Sequence, residues 1–168
     1  MEDLNFQRTV VLLVEHNAQG TLGFVMNRSF NLSLHEVIAN VNPVECPVCM
    51  GGPVEPNTLH FVHRLGKLVP DSHEILPGLF WGGDFGALRS LINAGKVGAD
   101  EAVFFIGYSG WSPGQLEQEI QRKSWIVAPG NTEFVFRHDD GDLWRSVLQS
   151  LGDKYKVISN YPVDPRLN

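Results

Sequence analysis

The run Ala102-Val103-Phe104-Phe105-Ile106 constrains this chain more than any other feature. Each of these residues is apolar and most are β-branched or aromatic, so the run has no polar face to offer water and must be a central strand covered on both sides. Such a strand needs neighbours on its edges and further layers over its faces, which makes a sheet with packed helices the minimal solution.

The neighbours are legible. Thr9 to Val14 and Leu22 to Met26 are apolar runs on either side of Asn17-Ala18-Gln19-Gly20, the pattern of a hairpin. Thr58 to His63 has strand composition and is closed by Arg64 and Gly66; Gly78 to Trp81 is a short strand, and Pro47 to Pro56 a loop. Trp125 to Ala128 and Glu133 to Phe136 read as two further strands across Pro129-Gly130-Asn131.

Helix signals are local. Ser33 with Glu36 is a capping box that predicts a helix over Leu34 to Ala39, and Asp84 caps one whose inward face is Phe85, Leu88, Leu91 and Ile92. Ser112 as N-cap, Pro113 in the first turn and Gln115 as the capping-box partner predict a helix to about Arg122; Asp142 caps a last one through Leu151, and the tail from Ser159 is irregular. Strands and helices interleave without a βαβ rhythm, which indicates α+β. The length of 168 residues suits a single domain over residues 1–168, and no repeat or linker divides it.

Charge narrows the function. Thirteen Lys and Arg face nineteen Asp and Glu, a formal charge of −6, so the average surface field disfavours direct nucleic-acid binding. No apolar run reaches the roughly 20 residues of a membrane helix. The start Met1-Glu2-Asp3 is acidic where a secretory signal is basic, and two cysteines are too few for a disulfide framework; both point to a cytoplasmic protein.

Several constellations invite chemistry and then fail on spacing. Cys46-x-x-Cys49 followed by His60-x-x-His63 is superficially a zinc finger, but the middle is too short, and on a strand an odd separation aims the two histidines at opposite faces. The plainer reading is two small buried thiols and two half-exposed imidazoles. Gly51-Gly52-Pro53 follows the dithiol at once, so no helix N-terminus is there to acidify a thiol. Gly107-Tyr108-Ser109-Gly110 lies between strand and helix as a nucleophile elbow does, yet Trp111 stands where the elbow needs glycine, and His138-Asp139 is in the wrong order for a hydrolase triad. Glu117 and Glu119 are two apart on a helix and cannot share one site; their plain reading is helix-surface solvation. Asp139-Asp140-Gly141-Asp142 lacks the glutamate that closes a calcium loop. We assign no catalytic residue, metal ligand or cofactor from the sequence.

Taken together, Arg8 to Asn17, Gly23-Phe-Val-Met-Asn27-Arg28, Gly51-Gly52-Pro53-Val54, Trp81-Gly82-Gly83-Asp84, Gly107 to Glu117 and Ser124 to Pro129 resemble the signature of the YqgE/AlgH family. The ending Asn-Tyr-Pro-Val-Asp-Pro is similar to the Bacteroidetes branch. The resemblance implies a mixed, largely antiparallel, bifurcated sheet curled into a pseudo-barrel, with about four short flanking helices. It also implies the family's label of transcriptional regulator, and an additional N-terminal strand segment before the position of Phe6, which this chain is expected to lack.

The expectation is therefore a non-catalytic regulatory or adaptor protein acting through an unknown protein partner or through self-association. The alternative is a small-ligand binder or enzyme that gathers Glu15, His16, Asn27, Arg28, Gly52, Ser109, Trp111 and Gln115 into one pocket.

Overall fold

The computed structural model describes residues 6–137 and 140–160. Its organising element is β7 (Ala102–Trp111), which contains the buried run and continues through the glycine-rich segment instead of ending before it. Gly107, at φ +67°, kinks the strand without stopping it.

The edges of β7 are used twice over. β4 (Val54–His63) runs antiparallel along one edge, from Val54 opposite Tyr108 to His63 opposite Ala102. β3 (Val48–Met50) pairs with it in parallel at Phe104 to Ile106, while β2 (Gly20–Val25) pairs antiparallel at Ser109 to Trp111. Beyond the kink the neighbour changes from β3 to β2, and this is the fork of the bifurcated sheet. The hairpin joins β2 to β1 (Val11–Asn17), and on the other side β4 pairs with β6 (Leu79–Trp81), which pairs with β5 (His73–Leu76). The path β1-β2-β7-β4-β6-β5 curls into a nearly closed barrel.

Alternation along β7 makes two cores. Ala102, Phe104 and Ile106 pack with Leu34 of α1 (Leu34–Val37) and with Leu88 and Ile92 of α2 (Phe85–Asn93). Val103 and Phe105 face the other way, onto Phe24, Leu79 and Val62. Val135 of α4 (Thr132–Val135) and Leu143 of α5 (Asp140–Ser150) close that second core. Phe24, Phe104 and Phe105 are fully buried, each worth roughly 1.5–3 kcal/mol of transfer free energy.

The predicted caps at two helices form. Ser33 and Glu36 make the reciprocal box on α1, and the Asp84 carboxylate accepts from the amides of Gly86 (2.7 Å) and Ala87 (3.3 Å) on α2.

Elsewhere the structure corrects the sequence reading. Glu133 to Phe136 is not a strand: Asn131 accepts from the Glu133 amide and starts α4. Trp125 to Ala128 belongs to no strand, because its strand-like side chains find no ladder partner among the described residues. Ser112 is not the cap of α3 (Gln115–Gln121); β7 runs to Trp111, Gly114 takes the cap position, and Gln115 still accepts from the Ser112 amide at 3.0 Å. α5 begins at Asp140, ahead of Asp142, and α6 (Asp153–Ser159) follows it, so the described helices outnumber the expected four. β3 occupies a stretch read as loop and β5 one where Pro70 and Pro77 exclude a helix; both are short and exist only through their pairing.

Candidate functional site

The eight residues expected to share a pocket occupy separate stations on the sheet. At the hairpin end, His16 lies opposite Thr21, which lies opposite Trp111 on β7. The His16 Nδ1 is 2.7 Å from the Thr21 hydroxyl, and its Nε2 is 3.6 Å from the Glu117 carboxylate of α3. Glu15 accepts from the Asn17 side chain at 2.8 Å, and Asn17 accepts from the Gln19 amide, so these groups set the hairpin turn.

Trp111 and Gln115 belong to a knot whose centre the sequence reading assigned to solvent. Glu119 accepts from the indoles of Trp111 (3.1 Å) and Trp125 (2.7 Å) and from the Gln115 amide (2.9 Å), while Phe6 packs edge-on against Trp125. Burial pushes the Glu119 carboxyl upward, but the hydrogen bonds from Trp125, Gln115 and Trp111 and the charge of Arg122 outweigh it and hold it below its ordinary value. The signal was available: two indole N–H groups packed against each other need an acceptor. Glu119→Ala strands both donors and should cost about 2 kcal/mol. Urea unfolding would measure the loss, and an unchanged tryptophan emission spectrum in the folded variant would contradict the arrangement.

Asn27 and Arg28 stand at the opposite end of the hairpin. Asn27 accepts from the Val10 amide and donates to the Arg8 carbonyl, both at 2.8 Å, which fastens the entry of β1; the Arg28 carbonyl accepts from Met50 of β3. Gly52 and Ser109 lie between, at the fork. Ser109 is fully buried and donates its hydroxyl to the Gly51 carbonyl at 3.1 Å, a hydrogen bond that fixes β3 against β7 and commits the proton a nucleophile would surrender. His138 lies outside the described residues.

The dithiol and the two imidazoles also part company. Cys46 faces the Gly98 carbonyl and Cys49 the Met26 carbonyl; burial, with Glu101 nearby, pushes the Cys46 thiol up to about 12. His60 packs on Phe24 and Tyr108 in the barrel core, whereas His63 stacks on Phe80 and bonds the Gly82 carbonyl at 3.1 Å. His63 is fully buried and not half-exposed, because Phe80 stacks on its ring and the Gly82 carbonyl meets its Nε2.

Burial lowers the pKa of both imidazoles below 6.5, with the Glu55 charge opposing at His60 and the Gly82 hydrogen bond opposing at His63. The unfolded chain therefore binds protons that the fold resists, so stability should fall as pH drops below 6.5 and level off beneath the folded values. A second loss should begin below 4.5, where Glu119 and Glu36, both held low in the fold, are forced to protonate. Urea titrations from about pH 7.5 to about pH 2.5 would show both steps, and a flat profile would refute them.

The described residues form an open cleft of about 750 Å³. It lies where the barrel fails to close, between Leu13 to Glu15 of β1 and His73 to Ile75 of β5, and its floor is Leu59 to Phe61 of β4 with Trp81 of β6. Among the predicted site residues only Glu15 reaches it. Glu15, Asp71 and Glu74 bring negative charge to its rim, and no lysine or arginine among the described residues lines it. No motif could announce this cleft, since it arises from sheet curvature.

A family model described as AlgH-like (DUF179) matches residues 1–156. Among curated relatives, a UPF0301 protein of Chlorobium luteolum is 44% identical over 98% of this chain and 87% of its own length. One from Cytophaga hutchinsonii is 44% identical over 99% and 92%. Among solved structures, the AlgH protein of Pseudomonas aeruginosa aligns with a TM-score of 0.76 at 29% identity, covering 98% of this chain and 89% of that one. Protein DIP2367 of Corynebacterium diphtheriae aligns at 0.80 with 24% identity, over 96% and 86%, and shares the fold.

Proposed function

This chain belongs to the AlgH-like family, and from that premise we propose that it acts by holding another protein and not by catalysis. One observation carries the reading. Among the described residues β1 pairs only with β2 and β5 only with β6, so the sheet presents two unsatisfied edges across one cleft. Exposed edges invite a further strand, and a protein that keeps them beside a cleft has a place for one.

The polar residues that would serve chemistry support the same reading from the other side. His16, Asn27, Ser109, Gln115 and Glu119 are engaged by neighbours that tie strands and α3 together. A regulatory role suits a protein-binding module, and the charge of −6 makes direct DNA contact the weakest reading. Two buried thiols fit a reducing compartment such as the cytoplasm. Among the described residues, no helix is long and apolar enough to cross a membrane.

A photo-crosslinking residue placed at Leu13, and separately at His73, tests the proposal in cells. Both positions should yield one discrete protein adduct that a probe at Gln121 on α3 does not. If no surface position yields a protein adduct and the native mass of the purified chain exceeds its denatured mass, the second reading takes over. That reading is a small ligand seated on His60, His73 and Trp81 in the cleft.

A further inference from the structure

We infer that the seam between β1 and β5 receives one extended, basic segment of a partner protein, which pairs with the edge of β1 that no strand among the described residues occupies. This rests on the protein-contact reading above and adds the partner's chemistry. β1 is the better edge because it has seven residues against four in β5, enough for a pairing strand of about 20 Å.

The occupant's character follows from what lines the seam. Glu15 at one side and Asp71 and Glu74 at the other are exposed carboxylates, and no described lysine or arginine lines the cleft with them. Leu13, itself 44% exposed, and Ile75 and Trp81 supply apolar surface between them. In an inserted strand successive side chains point to opposite sides, so Lys or Arg at alternate positions would meet the carboxylates or the Trp81 face while aliphatic residues meet Leu13 and Ile75.

A second copy of this chain is the poorer occupant. Its exposed edges bring Glu15 and Glu74 again, and its net charge of −6 adds repulsion. The rival explanation of the acidic rim is that it merely keeps bare edges from pairing with each other.

Selection of linear dodecapeptides from a random library against the full chain separates these. The enriched peptides should carry alternating Lys or Arg and should shift backbone amide resonances of residues 11–17 in the full-length protein. N-methylation of alternate peptide amides should abolish binding, since the contact is a ladder. Glu15→Lys combined with Glu74→Lys should weaken binding at least about tenfold. Glu45→Lys, an exposed position before β3 and outside the cleft lining, should leave it unchanged, and circular dichroism with thermal unfolding would establish that both variants fold. Peptides that lack basic residues, or resonance shifts confined to another face, overturn the seam and leave the protein-contact reading standing. Failure to enrich any peptide overturns the inference too, and together with a chain that yields no crosslink from any surface position it overturns both.

Discussion

Gly52→Ala should unfold this protein or leave it about 3–5 kcal/mol less stable, the largest effect expected of a one-methyl change in the chain. A Cβ at Gly52 would run into the Tyr108 carbonyl and the Ser109 amide of β7, and these are backbone atoms of the central strand with nowhere to go. The backbone there has φ +156°, which a side chain also disfavours. Two costs therefore add. The neighbouring kink explains why the approach is so close: Gly107 on β7 stands against the Gly52 and Val54 carbonyls, so each strand has lost a side chain where they cross. Thermal unfolding should drop by roughly 10 °C or more, and a midpoint within a degree or two of the parent would contradict the packing.

Phe24→Ala should cost about 3–5 kcal/mol through lost transfer energy and the cavity left behind. Phe24 is fully buried, stacked on Phe105 at 4.7 Å, with Trp81 at 6.4 Å and His60 at 5.2 Å. Trp81 and His60 are also the floor of the seam, so the cavity would open beside a solvent-filled cleft. Water entering there would relieve the burial that lowers the His60 pKa. Chemical denaturation would read the first effect, and an imidazole titration moving back toward 6.5 would read the second. A stability loss with no change at His60 would mean that the core collapses and keeps water out.

These two sites differ in how far the sequence announces them. The double glycine at 51 and 52 is visible as a motif, but its reason, the approach of another strand some 55 residues onward, is a tertiary fact. Phe24 reads as a core residue from its run alone. The Glu119 knot sits between these cases. Both tryptophans and the glutamate are in plain view, and only the packing of 125 against α3 brings the indoles to one carboxylate.

Local chemistry determined much on its own: the β1–β2 hairpin from its apolar runs and turn, α1 and α2 from their caps, and β7 from a run with no polar side to expose. Each of those signals acts over a few residues, within reach of the backbone that carries it. Tertiary structure decided the rest. β3 and β5 are strands only because β7 and β6 supply ladder partners, and Glu133 to Phe136 became a helix because Asn131 caps it and no strand lay alongside. The eight residues expected in one pocket were distributed over the hairpin, the fork and α3 by the strand register. The cleft came from curvature that leaves β1 and β5 facing each other unpaired, a long-range property of strand order that no short stretch of sequence encodes.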